Sequence, residues 1–256
     1  MTNPPPVRVL PRAPRPGSRR KPLLCLPYAG GGSRSYEGWQ RLLPQSVDAQ
    51  TLRLPGREAR MDEPLPSDLR GLAAEIADEL GPHLTGPFAL FGHSMGALVA
   101  HELALQLRSS FDVEPDCLFV SGSRPPHRLD RGTGYSHLDD ATLRAAIEHM
   151  GGTDPEVLAD HDLWELFRPI IRSDLALCDA YEHRPAEPLS CPVVAYGSKD
   201  DGDLDEESLD AWRTVTTGTF ASRMFPGDHF YFQRWPEAFA MDLINRLYQH
   251  VLEVSR

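Results

Sequence analysis

A serine flanked by glycines is the residue of this chain best placed to do chemistry. Ser94 lies at the centre of GHSMG within the stretch PFALFGHSMGALVAHELALQLR, residues 87–108, and fits the pattern G-x-S-x-G. An apolar run typical of a buried strand precedes it, and a run typical of a helix follows it. A glycine turn that merely contains a serine is the alternative, but the flanking strand and helix favour a nucleophile exposed on a tight turn. The pattern therefore predicts Ser94 as the nucleophile.

A serine hydroxyl is a weak nucleophile that needs a histidine base held by a carboxylate, in the chain order serine, acid, histidine. His229 follows the last predicted strand in FPGDHFYF, so we predict that it is the base. The preceding strand ends in VVAYGSKDDGD, which offers three aspartates. Asp200 is favoured as the acid because it completes a short Gly-x-x-Asp turn. Asp201 is the alternative, and Asp203 is expected to cap the next helix.

Acyl transfer also needs backbone N–H groups that bind the oxyanion. We predict that Met95, which follows the nucleophile, supplies one amide and that Ala29, in the loop YAGGGS after an early strand, supplies the other. A phosphate cradle is the rival interpretation of this loop, but it has neither G-K-[ST] nor G-x-G-x-x-G. The four cysteines have no C-x-x-C spacing and are expected to be buried, reduced thiols. We expect no metal and no cofactor of the enzyme itself.

Several short apolar runs predict the strands of a sheet. They are KPLLCLPYA, VDAQTLRLPG, PFALFG, DCLFVSGS, CPVVAYGSKD and TFASRMFPG. Helical patterns lie between most of them, including LRGLAAEIADELGPHL, for which Ser67 and Asp68 offer an N-cap. Strands that are apolar on both faces and alternate with helices predict an α/β fold with a mostly parallel central sheet flanked by helices.

The alternation predicts one domain with an insertion. Residues 135–184 contain helical segments without an intervening strand, which predicts a helical insertion. Residues 1–20 are rich in proline and arginine and are expected to form a disordered arm, so that the domain comprises residues 21–256. A role of the arm in docking a partner is the alternative.

Bulk composition excludes some classes of function. The formal net charge is −11, which argues against binding nucleic acid or an anionic membrane. The chain has no apolar run of about 18 residues, and its N-terminus has no apolar signal region. We therefore expect a cytoplasmic protein, with a monomer favoured.

Taken together, several motifs are similar to those of a known family. LPYAGGGSRSY, LRLPGRE, FGHSMGALVAHELA, GGTDPEVLAD, IIRSDLALCDAYEHRP, PLSCPVVAYGSKD and FPGDHFYF resemble the type II thioesterases that accompany polyketide synthases and nonribosomal peptide synthetases. The resemblance runs from about residue 22 to the C-terminus and implies an α/β-hydrolase fold, with the insertion as a lid over an acyl pocket. It implies hydrolysis of acyl groups from the phosphopantetheine thioester of acyl or peptidyl carrier proteins, an editing role. Tyr28 and the segment KDDGD depart from the family's pattern.

The resemblance assigns the same site residues as the chemistry does. They are Ser94, Asp200 and His229 as the catalytic triad, with the amides of Ala29 and Met95 as the oxyanion hole. Because carrier proteins are commonly acidic, local arginines are hypothesised to contact them. The candidates are Arg53, Arg57 and Arg60. The rival functions are a carboxylesterase or an acyltransferase of the same fold, and a non-catalytic protein that binds carriers.

Overall fold

A parallel sheet forms the centre of the molecule. The computed structural model describes residues 8–10, 20–129, 134–234 and 236–253. The strands are β1 (Lys21–Leu26), β2 (Val47–Thr51), β3 (Ala89–His93), β4 (Cys117–Ser121), β5 (Val193–Ser198) and β6 (Phe220–Phe225). They form a six-stranded sheet in the order β2-β1-β3-β4-β5-β6, and every neighbouring pair is parallel. All the predicted strands are present, so the expected α/β fold is confirmed.

Helices connect the strands and cover both faces of the sheet. They are α1 (Trp39–Leu42), α2 (Leu69–Leu80), α3 (Met95–Phe111), α4 (Asp140–Met150), α5 (Pro155–Ala159), α6 (His161–Asp179), α7 (Glu206–Asp210), α8 (Tyr231–Arg234) and α9 (Pro236–Leu247). The predicted cap of α2 is confirmed, because the Asp68 carboxylate accepts a hydrogen bond from the Gly71 amide at 2.6 Å. That bond satisfies one of the amides left free at the start of a helix.

Alternate residues of each strand enter two separate cores. Leu90 of β3 packs with α2 and α3 on one face, whereas Ala89 and Phe91 pack on the other face with an aromatic cluster that includes Trp39 and Phe239. Burial on both faces explains why the strands are continuous apolar runs rather than alternating ones.

The predicted insertion is a helical lid formed by α4, α5 and α6. It has a core of its own, made by Leu143, Ile147, Leu158, Trp164, Ile171 and Leu175. The C-terminal part of α6 leaves this core, because Leu177 packs in the main core beside α3. Helix α6 therefore joins the lid firmly to the body of the protein.

Part of the predicted N-terminal arm is packed on the domain. Val9 is fully buried, and its carbonyl accepts a hydrogen bond from the Arg53 amide at 2.8 Å. Arg8 pairs with Glu63 and Glu79 at 2.9 and 3.1 Å. The expectation of disorder is therefore wrong for residues 8–10, since Val9 and Leu10 bury apolar surface. Residues 1–7 and 11–19 of the arm lie outside the described residues.

The cysteines are unpaired, as the sequence predicts. The four cysteines are free; Cys25, Cys117 and Cys191 are buried, whereas Cys178 is half-buried. Burial raises the pKa of the Cys25 thiol far above its usual range, which keeps it protonated and unreactive. Among the described helices, none has the length and apolarity that a membrane crossing requires.

Candidate active site

Ser94 occupies a strained turn between β3 and α3. Its backbone has φ 54° and ψ −121°, a conformation that costs energy for a residue with a side chain. The Ser94 amide holds the turn by donating to the Ser121 carbonyl at 2.8 Å. A Cβ atom on Gly92 would lie 2.0 Å from the Gly96 carbonyl oxygen, and one on Gly96 would lie 2.3 Å from the Leu26 carbonyl oxygen. The two glycines of the motif are therefore both needed for the turn to form.

The predicted oxyanion donors come from neighbouring strands. Helix α3 begins at Met95, whose amide is in the first turn and lacks an acceptor within the helix. Ala29 follows β1, and β1 pairs directly with β3 through Leu26 and Gly92. The carboxyl ends of these adjacent strands therefore bring the loop and the nucleophile turn to the same edge of the sheet.

The hydrogen bonds of the loop distinguish its amides from one another. The Gly30 amide donates to Asp174 Oδ2 at 2.8 Å, and the Gly31 amide donates to the Tyr28 carbonyl at 2.8 Å. The Ala29 amide has no hydrogen-bond partner among the described residues. It is therefore the amide of these three that is available to a ligand.

His229 and a carboxylate meet at the ends of the last two strands. His229 follows β6, and its Nδ1 atom lies 2.7 Å from Oδ2 of Asp201, which follows β5. The Asp201 side chain is 6% exposed and that of His229 is 20% exposed. Low exposure strengthens this hydrogen bond to a carboxylate, and part of the imidazole remains accessible.

The structure corrects the choice of acid. Asp200, the favoured residue, is exposed and does not hold His229; its carboxylate accepts a hydrogen bond from the Gly227 amide at 3.1 Å. Its own amide donates to the Gly227 carbonyl, also at 3.1 Å. The physical reason is that the chain turns at residues 199–200, so the two neighbouring side chains point in different directions and only Asp201 contacts His229. Asp203 does not cap α7 either, because Asp205 accepts from the Ser208 amide at 2.8 Å.

A second histidine, which the sequence did not predict as part of the site, lies beside His229. The rings of His93 and His229 are 4.6 Å apart, and His93 Nδ1 lies 2.9 Å from Ser121 Oγ, which lies 2.7 Å from the Tyr231 hydroxyl. Burial holds the pKa of His93 well below its usual range, and the charge of His229 acts in the same direction. His93 therefore stays neutral beside His229. The only signal in the sequence was its position before the serine.

The lid rests on residues next to the base. The Tyr28 hydroxyl donates to the Gly152 carbonyl in the turn between α4 and α5 at 3.1 Å. A Cβ atom on Gly152, where φ is +82°, would lie 2.2 Å from the ring of Phe230. Tyr28, one of the departures from the family's pattern, thus ties the lid to the start of the loop that carries Ala29.

The arginines suggested for carrier docking have other partners. Arg57 is 4% exposed and forms a bidentate pair with Asp174, and Arg60 is 3% exposed and pairs with Glu63 at 2.6 Å. The docking hypothesis is therefore wrong for these two, because a buried guanidinium with short bonds to carboxylates cannot also contact a partner. Arg53 is half-buried and its role stays a hypothesis.

The fold and the site together define the class of protein. A serine on a strained strand–helix turn and a partly buried histidine–aspartate contact stand at the carboxyl edge of a parallel sheet that helices cover, which is the α/β-hydrolase arrangement. The model of the thioesterase domain family matches residues 21–246 of this chain. The protein is therefore a member of the thioesterase domain family.

Individual relatives agree with this family. The gramicidin S biosynthesis protein GrsT of Aneurinibacillus migulanus is 37% identical over 209 residues, which are 82% of this chain and 82% of that protein. Thioesterase PikA5 of Streptomyces venezuelae is 36% identical over 232 residues, 90% of this chain and 80% of that protein. The type II thioesterase BorB from the borrelidin biosynthetic cluster has a similar structure, with a TM-score of 0.85 and 31% identity, over 96% of this chain and all of BorB.

Proposed function

We propose that this protein hydrolyses acyl thioesters on the phosphopantetheine arm of acyl or peptidyl carrier proteins, in an editing role for polyketide or nonribosomal peptide assembly lines. The observation that carries the proposal is the 2.7 Å contact between His229 and Asp201 at the edge where Ser94 stands, in a chain of the thioesterase domain family. Relatives named for antibiotic biosynthesis and a type II thioesterase of similar structure support the substrate class.

The proposed reaction uses the triad Ser94, Asp201 and His229. His229 Nε2 removes the proton of Ser94 Oγ, which attacks the thioester carbonyl carbon. Asp201 accepts from the Nδ1–H group and stabilises the imidazolium that forms. The carbon–sulfur bond then breaks, and the carrier thiol leaves with the proton from His229. A water molecule, deprotonated by His229, then attacks the acyl carbonyl carbon; the bond from this carbon to Ser94 Oγ breaks, and Oγ takes the proton back from His229.

The amides of Ala29 and Met95 are proposed to bind the oxyanion of each tetrahedral intermediate. One such donor is worth on the order of 10²–10³ in rate. The Ala29 amide suits this role because the amides of Gly30 and Gly31 already donate within the protein. The scheme requires no metal and no cofactor other than the phosphopantetheine that the substrate carries.

The deciding experiment compares acyl-carrier proteins with matching acyl-CoA thioesters and p-nitrophenyl esters, using wild-type protein and Ser94→Ala. We expect the highest kcat/KM for the carrier-bound acyl group and loss of nearly all turnover in Ser94→Ala. Preference for simple esters would replace the proposal with a carboxylesterase. A fluorophosphonate probe that fails to label Ser94 would favour a non-catalytic carrier-binding protein.

A further inference from the structure

A buried ion pair joins the lid helix α6 to the segment after β2. Asp174 on α6 has no exposed surface, and Arg57 is 4% exposed. Asp174 Oδ1 lies 2.7 Å from Arg57 Nη2, and Oδ2 lies 2.7 Å from Arg57 Nη1. Taking two charges out of water is costly, and such a pair is weak support for stability alone. The other hydrogen bonds of Asp174 and Arg57 therefore indicate a role for the pair beyond stability.

Both members of the pair also hold the loop after β1. Asp174 Oδ2 accepts from the Gly30 amide at 2.8 Å, and Arg57 Nη1 donates to the Gly31 carbonyl at 2.9 Å. Ile171, one turn earlier on α6, lies against Gly30, where φ is +75° and an added Cβ would lie 2.6 Å from the Ile171 side chain. The lid helix thus contacts this loop through a carboxylate and an aliphatic side chain.

A further contact fixes the same loop from the Arg57 side. Glu58 adopts φ 52°, a strained value for glutamate, and its carboxylate accepts from the Ser33 amide at 3.0 Å and from the Ser33 hydroxyl at 2.8 Å. The segment LPGRE therefore holds the loop YAGGGS after β1 at two points, Gly31 and Ser33.

Peptide planarity transmits these contacts to Ala29. The Tyr28 carbonyl and the Ala29 amide belong to one planar group, and the Gly31 amide fixes it by donating to Tyr28 at 2.8 Å. The Ala29 carbonyl and the Gly30 amide belong to the next planar group, which Asp174 fixes. Hydrogen bonds therefore fix both peptide planes that flank the Ala29 Cα atom. They also fix the direction in which the Ala29 N–H bond points.

We propose that Asp174 and Arg57 are positioning residues that aim the Ala29 amide at the oxyanion, so that the lid helix is part of the oxyanion-binding apparatus. This inference rests on the proposed function, because it assigns a purpose to the Ala29 amide within it. Neither residue touches the substrate; each acts through the loop.

The test uses three substitutions in the full-length protein. Asp174→Asn removes the charge, Asp174→Glu keeps the charge but displaces the carboxylate, and Arg57→Lys removes the bidentate geometry. We expect kcat for an acyl-carrier substrate to fall about 10- to 100-fold in the Asp174 variants and less in Arg57→Lys, because misplacing one oxyanion donor costs up to the roughly 10²–10³ of losing it. KM is expected to change by less than about threefold, since the donor acts in the transition state.

A second readout separates positioning from general disruption. In a Ser94→Cys background, iodoacetamide alkylates residue 94 by displacing iodide at a saturated carbon, which forms no oxyanion. The Asp174 substitutions are expected to leave this alkylation rate unchanged, as measured by mass spectrometry. With Ser94 intact, the same substitutions are expected to slow fluorophosphonate labelling about as much as they lower kcat, because phosphonylation develops negative charge on oxygen.

Asp140→Asn is the matched control. Asp140 pairs with Arg172 at 2.8 Å and with Arg168, and both arginines are on α6. The substitution therefore weakens two ion pairs of the same helix, neither of which touches the loop after β1. We expect Asp140→Asn to have the same kcat as the wild-type protein.

Three results would overturn the proposal: wild-type kcat in folded Asp174 variants, a change in KM alone, or equal slowing of alkylation and labelling. Failure of all three variants to fold in thermal denaturation would assign the pair a purely structural role. A wild-type protein that is labelled at Ser94 but hydrolyses no carrier thioester would refute the proposed function, while the labelling rates would still test the positioning role.

Discussion

At the scale of single residues, the two adjacent aspartates after β5 have different partners. Asp201 contacts the Nδ1 atom of His229, whereas Asp200 accepts from the backbone of Gly227. The first contact sets the orientation of the His229 imidazole, and the second fixes the loop that carries His229. Substitution of either aspartate therefore has a distinct expected result.

Asp201→Asn should lower kcat by about 10³–10⁴, because an amide cannot stabilise the imidazolium and favours the wrong tautomer of His229. Asp200→Asn is the control next to it and should lower kcat by less than about tenfold, because an amide oxygen can still accept from Gly227. Steady-state kinetics on one acyl-carrier substrate measure both. A larger loss of kcat in Asp200→Asn than in Asp201→Asn would identify Asp200 as the acid.

The sequence predicted the chemistry of these residues but not their directions. Ser94 and His229 could be predicted as nucleophile and base from the strand–helix context and from chain order. The choice between adjacent aspartates depends on backbone torsions in the loop, which spacing does not determine. His93 escaped notice because nothing in the sequence shows that its ring lies under His229.

At the scale of elements, the contact between α3 and β1 determines the position of Ser94. Gly96 in the first turn of α3 lies against the Leu26 carbonyl, with no space for a methyl group. Gly96→Ala should lower the free energy of unfolding by about 1–3 kcal/mol, the usual cost of overpacking. It should also lower kcat, because α3 must move away from β1.

Gly86→Ala is the matched control for this change, because a Cβ there meets nothing within 4 Å. Urea denaturation and kinetics measure both variants. A stability of Gly96→Ala equal to that of Gly86→Ala would contradict the close approach.

Helix α3 also carries a buried histidine that makes the fold sensitive to acid. Burial lowers the pKa of His101 to about 3, and the positive charges of His183, Arg108 and His127 act in the same direction. In the unfolded chain the pKa of histidine is about 6.5. Between these values the unfolded chain binds a proton that the folded chain does not, so stability falls as the pH falls from about 6.5 toward 3.

His101→Leu should make the free energy of unfolding less dependent on pH. The expected difference is about 1.4 kcal/mol per pH unit below pH 6.5, the value of one proton. Urea denaturation of both proteins at pH 7 and pH 5 measures it. His93 is neutral and buried in both proteins, so its effect cancels in the comparison. If the free energy of unfolding changed equally with pH in the wild-type protein and in His101→Leu, His101 would be protonated in the folded state.

The elements themselves were predictable where the pattern is local. Six apolar runs became six strands, and the strand-free stretch became the lid. The burial of Arg57 was not predictable, because its partner Asp174 is 117 residues away and belongs to the lid. A charged residue in a loop is usually solvated, and only the tertiary structure shows the exception.

At the scale of the whole molecule, residues 8–10 extend the body of the protein beyond the predicted domain. Val9 and Leu10 are 0% and 6% exposed and join the core on the α2 face. The ion pairs of Arg8 contribute little by comparison, because its side chain is 54% exposed. Most of the stabilisation by this segment therefore comes from the two apolar side chains.

A chain that starts at residue 20 should be less stable than one that starts at residue 8. Burying a Val or Leu side chain contributes about 1.5–3 kcal/mol, so we expect a loss of about 3 kcal/mol or more in the free energy of unfolding. Chemical denaturation of the two chains measures the difference. Equal stability would mean that residues 8–10 do not contribute to the core.

The pairing of Asp200 with Gly227 has a consequence for protein engineering. Two hydrogen bonds between Asp200 and Gly227 join the loops after β5 and β6, so Asp201 and His229 lie on loops that are held together. The lid and the loop after β1 are joined through Asp174. To change which acyl groups the protein accepts, the lid can therefore be exchanged together with the loop after β1, while the loops that carry Asp201 and His229 are kept. A lid exchanged alone would lose its contacts with that loop.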